Sequence, residues 1–122
     1  MIEISDLLGK PYTDGGRGPD SYDCYGVVLE VARRMGVELT DIRHEGHGLE
    51  LCGLWPSLGK NVHPVDHAEE GVLVECEADG ELHLGLALDR RMMIHATYNR
   101  GVCVHPMSLF KIRRLYGIGI QI

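Results

Sequence analysis

The sequence predicts an α+β domain: N-terminal helices packed on an antiparallel sheet of about five strands. Three observations carry this. Helical spacing of apolar residues falls near the N-terminus. Strand-like alternation starts at Gly71 and runs towards the end. The turns between the strand-like runs are short, and short turns join antiparallel neighbours. Helices first and a meander afterwards is the α+β layout. A chain of 122 residues can bury one core, so residues 1–122 are expected to form a single domain.

Residues 3–8 read as a short helix ended by Gly9. The stretch 11–20 holds Pro11, Gly15, Gly16, Gly18 and Pro19, which suit neither helix nor strand. The main helix follows. Asp23 is its expected N-cap, with Cys24 in the first turn. Cys24, Val27, Val28, Val31 and Met35 make one apolar stripe. Arg33 and Arg34 suit the negative end of the dipole, and Gly36 is the stop. Residues 39–68 read as a loop-rich insertion with one helical turn near 49–54. Strands are expected at 71–77, 81–89, 92–97 and 101–105. In the second of these, Leu82, Leu84, Leu86 and Leu88 share one face, and His83, Gly85 and Ala87 the other. Residues 112–122 close the sheet as one bent strand or two short ones around Gly117 and Gly119.

Composition excludes several function classes. The formal net charge is −6 and no basic stripe is present, which argues against nucleic acid. No segment approaches the ~18 consecutive apolar residues of a membrane helix, so no membrane insertion is expected. The start, Met1 to Asp6, is acidic and lacks a signal pattern. That predicts cytoplasmic synthesis without a signal peptide, and free thiols. No C-x-x-C occurs. Cys52, Cys76 and Cys103 are expected to be small buried apolar residues. His63 and His67 have i, i+4 spacing, but Pro64 lies between them and no acidic partner stands in the needed place. No metal and no cofactor is therefore expected. Gly15, Gly16 and Gly18 are read as turn residues, because no strand precedes them to build a phosphate cradle.

Cys24 is the candidate nucleophile. The N–H groups and dipole of a first helical turn favour thiolate over thiol, which predicts a lowered pKa, opposed slightly by Asp23. A thiolate needs a proton acceptor, usually imidazole. His83 fits, because small Gly85 and Ala87 on its face leave room for the Cys24 helix to pack there. His95 lies on the next strand. A three-residue loop, Leu88-Asp89-Arg90, pairs Ala87 with Arg91 and sets His83 opposite His95. A two-residue loop would put them on opposite faces. The three-residue loop is the expected one, and makes His95 the orienter of His83.

These segments resemble a known family. Gly9-Lys10-Pro11-Tyr12, Tyr22-Asp23-Cys24-Tyr25-Gly26, His83-Leu84-Gly85-Leu86 and Met93-Ile94-His95-Ala96 stand in the order and spacing of the NlpC/p-sixty cysteine peptidases. The resemblance implies a papain-like fold and cleavage of peptidoglycan stem peptides, at a γ-D-glutamyl link to a diamino acid. It implies Cys24 as nucleophile, His83 as general base, His95 as orienter and Tyr12 near the oxyanion or substrate. Tyr25 replaces the serine frequent in secreted members and, with Gly15-Gly16-Arg17-Gly18-Pro19-Asp20, is more similar to small members from phage tail operons. Phage tail proteins are thus expected partners beside the stem peptide, and Tyr25 and residues 39–68 bear on selectivity. Arg17 is read as a solvated loop residue. The alternative is a non-enzymatic tail-assembly module with the same fold.

Overall fold

Asp23 starts the helix as its sequence suggests. Its Oδ1 accepts from the Gly26 N–H at 2.6 Å, and helix α1 runs over Cys24–Arg34. The far end closes on Gly36, whose φ of +86° a side chain would resist. There Val37 N–H donates to Ala32 O and Gly36 N–H to Arg33 O, so the last carbonyls are paired. The structure, a computed structural model, describes residues 2–41 and 62–119.

Six strands follow: β1 (Val62–Val65), β2 (Leu73–Ala78), β3 (Glu81–Ala87), β4 (Met92–Thr97), β5 (Gly101–Pro106) and β6 (Lys111–Ile118). They form one sheet in the order β1-β6-β2-β3-β4-β5, every pair antiparallel. A 3-10 turn, Met107–Leu109, links β5 to β6. The predicted α+β architecture is the observed one.

The sheet separates two apolar layers. On one face Leu73, Leu84, Leu86, Ile94 and Ala96 meet Val27, Val28 and Val31 of α1. On the other, Val74, Cys76, Ala87 and Met93 pack with Met107 and Phe110. This corrects the expected helix-facing side. The aliphatic stripe of α1 takes the leucine face, where it buries more apolar area than it would over Gly85 and Ala87. Gly85 instead accommodates its own sheet neighbours. A Cβ there would stand 2.7 Å from Met93 Sδ and 3.1 Å from Ile94 O.

Other details also differ. Residues 5–9 form turns, not a helix, and α1 is the one α-helix among the described residues. The Glu3 carboxylate accepts from the Ser5 N–H and hydroxyl, a local bond that competes with helix formation. The bonds Leu7 N–H to Ile4 O and Lys10 N–H to Leu7 O each close a four-residue turn. Strand β1 lies inside the expected loop. Pro64 is tolerated there because β1 is an edge strand. His63 and His67 therefore share no helix. The last strand is single over Lys111–Ile118, with one extra residue opposite the Glu75–Cys76 step. The turn expected near 49–54, and Cys52, lie outside the described residues.

Candidate active site

Cys24 is the first residue of α1 and only 6% exposed. The loop before it is clamped on the helix. Asp23 also accepts from the Gly15 N–H at 3.1 Å and from Arg17 Nη1 at 2.7 Å, and its own N–H donates to Gly16 O. A Cβ on Gly26 would stand 2.1 Å from that same Gly16 oxygen, so only glycine allows the contact. The thiol pKa is pushed up to about 11, chiefly by burial and next by the Asp23 charge. Backbone groups of Leu84, Tyr25 and Cys24 act in the opposite direction but do not prevail. The lowered pKa expected from the dipole is thus reversed, because desolvation of the thiolate is the larger effect.

The β3–β4 hairpin turns one residue later than expected, which shifts the strand register by two. Asp89 Oδ1 accepts from the N–H groups of Arg91 and Met92, and Leu88 N–H donates to Met92 O. Ala87 thus pairs with Met93, and His95 stands opposite Gly85, not His83. A shift of two keeps every side chain on its face. His83 and His95 are therefore diagonal neighbours, and His83 Nε2 lies 2.8 Å from His95 Nδ1. The pairing ends at Gly85, so β3 and β4 part over the segment that carries His83.

The contact continues beyond the two predicted histidines. His95 Nε2 is 2.8 Å from His105 Nδ1, and Cys103 Sγ is 3.6 Å from that His95 nitrogen. The Phe110 ring lies over the row, 5.2 Å from the His95 ring centre. Burial holds the His83 pKa down at about 4 and that of His95 at about 3, the latter helped by its histidine neighbours. Both rings are neutral near neutral pH.

Cys24 and His83 line one cleft with Tyr12, Leu82, Ala96 and Tyr98, and with the β2–β3 turn at Asp79 and Glu81. Tyr12 reaches it because residues 9–10 lie along β5. Gly9 N–H donates to Val102 O, and Val102 N–H donates to Lys10 O. The Tyr12 ring packs 4.4 Å from that of Tyr98. Burial raises the Tyr12 pKa, so its hydroxyl stays a donor.

Three expectations around the cleft change. Tyr25 is fully buried, donates its hydroxyl to Thr40 O and does not line the cleft. Arg17 is not a solvated loop residue but pairs with Asp23 and Asp41. Cys76 is the buried filler expected, whereas Cys103 is half-buried beside two imidazoles. Sequence reasoning missed His105 and Cys103, which strand alternation puts on one face of β5, with Cys103 opposite His95.

Comparison with known proteins bears on the whole domain. The NlpC/P60 family model matches residues 9–115. The chain belongs to the NlpC/P60 family. Among relatives of this NlpC/P60 domain is the "Probable endopeptidase p60" of Listeria grayi, 45% identical over 38 residues. That match covers 31% of this chain and 7% of the Listeria protein. The NlpC/p60 domain of the peptidoglycan hydrolase SagA shares the fold at a TM-score of 0.61 and 23% identity, covering 93% of this chain and 90% of that one. NlpC2 from Trichomonas vaginalis is similar at a TM-score of 0.70 and 16% identity, covering 97% of this chain and 44% of that one.

Proposed function

We propose that this NlpC/P60 domain is a cysteine peptidase acting on peptidoglycan stem peptides. One observation carries the reading: Cys24, at a helix start, shares a cleft with His83, whose Nε2 is held 2.8 Å from His95. With Nε2 engaged, Nδ1 is the His83 nitrogen left for proton transfer. His95 is the orienter, and Tyr12 is a positioning or oxyanion group.

The pKa directions define the resting state. Thiol and imidazole are both neutral at pH 7, since one titrates near 11 and the other near 4. The Cys24 sulfur attacks the amide carbonyl while its proton passes to His83. The oxyanion is held by the Cys24 N–H and the Tyr12 hydroxyl. Collapse breaks the C–N bond, and His83 returns the proton to the leaving amine. Water, giving a proton to His83, then cleaves the thioester and restores the thiol. Asp79 and Glu81 make the rim acidic, which suits a substrate carrying an amino group.

Within this reading the bond is the γ-D-glutamyl link to the diamino acid, and the setting is a phage tail. Family likeness supports the first. The Tyr25 and Gly15-to-Asp20 segment supports the second. The test incubates the protein and its Cys24→Ala variant with defined muropeptides and follows new amino groups. The wild type should cleave and the variant should not. Equal release by both would end the mechanism.

A further inference from the structure

Beyond the cleft, the far nitrogen of His95 meets two side chains that the peptidase chemistry does not use, Cys103 and His105. His95 Nε2, His105 Nδ1 and Cys103 Sγ converge, at 2.8 Å between the nitrogens and 3.6 and 3.7 Å from sulfur to each. Tetrahedral zinc has Zn–N bonds of about 2.05 Å and Zn–S bonds of about 2.3 Å, which gives N···N edges of about 3.3 Å and N···S edges of about 3.6 Å. The two sulfur edges already match. The nitrogens must separate by about 0.5 Å, a small rotation of two imidazoles. The residues stand on paired strands, Cys103 directly opposite His95, so the sheet backbone fixes the set. Cys103 and His105 are half-buried, which leaves a path from solvent.

We propose that His95, Cys103 and His105 bind one zinc ion, and that the bound ion switches the peptidase off. Binding displaces the Cys103 thiol proton to solvent and forms one Zn–S and two Zn–N bonds. Water fills the fourth position. The effect on activity rests on the peptidase reading and follows from tautomers. A neutral imidazole coordinated through Nε2 carries its proton on Nδ1. His95 would then donate to His83 Nε2, the usual companion bond of a metal-bound histidine. His83, accepting at Nε2, must carry its own proton on Nδ1. It would present a donor to Cys24 and could not take the thiol proton.

The test uses the full chain, stripped of metal by chelator and titrated with zinc against a chromophoric chelator, then with cobalt(II). The expected result is one zinc per chain and a thiolate-to-cobalt absorption band. Cys103→Ser should weaken zinc binding by at least about 100-fold and abolish the band. Cys103→Ala provides the same comparison if the serine variant misfolds, and Cys24→Ala should bind as the wild type does. Unchanged affinity in both Cys103 variants, or no binding in the wild type, overturns the site. In the activity arm, zinc should inhibit the wild type, and inhibition should be relieved in Cys103→Ser. Equal inhibition of both would place the inhibitory zinc elsewhere and overturn the switch. A chain that binds zinc as described but cleaves no muropeptide keeps the site and defeats the peptidase reading and, with it, the switch.

Discussion

The two faces of the sheet are built on opposite principles. Towards α1, Leu84, Leu86, Ile94 and Ala96 are buried among valines. On the reverse, His83, His95 and His105 run in contact across three strands, beside the apolar patch of Ala87 and Met93. The first face obtains stability from area removed from water. The second gives some of it up to hold imidazoles neutral in fixed geometry, the preorganisation that the proposed peptidase reading calls for. One strand, β3, serves both by alternation alone. The contrast teaches that position on the sheet, not burial, separates the leucines from the histidines: His95 is as fully buried as Leu86.

Substitutions can break this division. His83→Ala should lower kcat/KM on muropeptides by about 10²–10⁴-fold while melting changes little. A melting loss as large as that of a core leucine would erase the distinction. Leu86→Ala should cost about 2–5 kcal/mol by denaturant titration. Activity per folded molecule should survive, and a specific activity that fell in step would show the faces to be coupled. Gly85→Ala tests the seam between them. Its Cβ would press on Met93 Sδ and lie 3.4 Å from His95 Cβ. The expected cost is about 1–3 kcal/mol, together with a lowered kcat that Leu86→Ala does not show.

The smallest effect is in acid. His83 and His95 titrate lower in the fold than the ordinary 6.5, at about 4 and about 3. The unfolded chain therefore takes up their protons first. Their contribution to stability is whole above pH 6.5 and is lost as pH falls towards those values. Melting temperature should decline between neutral pH and about pH 4, and decline less in His95→Gln. An identical decline in that variant would assign the acid sensitivity to other groups.

Much of this was legible in sequence. The cap at Asp23, the stop at Gly36 and the alternation in β3 are local signals, and they place α1 and β2–β5 within about two residues. Cys24, His83 and Tyr12 line one cleft as the motifs suggest, and His95 lies within hydrogen-bond reach of His83. What failed was set by longer-range competition. The hairpin register is the local exception, set by which N–H groups Asp89 caps. The choice of helix-facing side depends on what α1 carries, not on space beside Gly85. Strand β1 exists because the edge of β6 offers it a partner, which no local pattern announces. The His95–Cys103–His105 cluster needs the β4–β5 pairing before it can be seen.

The cap that fixes Cys24 has a further consequence for the protein's durability. Burial and, next, the Asp23 charge keep the sulfur protonated and covered. Oxidation to sulfenic acid and alkylation both proceed through an accessible thiolate. The Cys24 thiol should therefore react more slowly with peroxide and electrophiles than a permanently ionised cysteine would, and the carboxylate that starts the helix contributes to that protection.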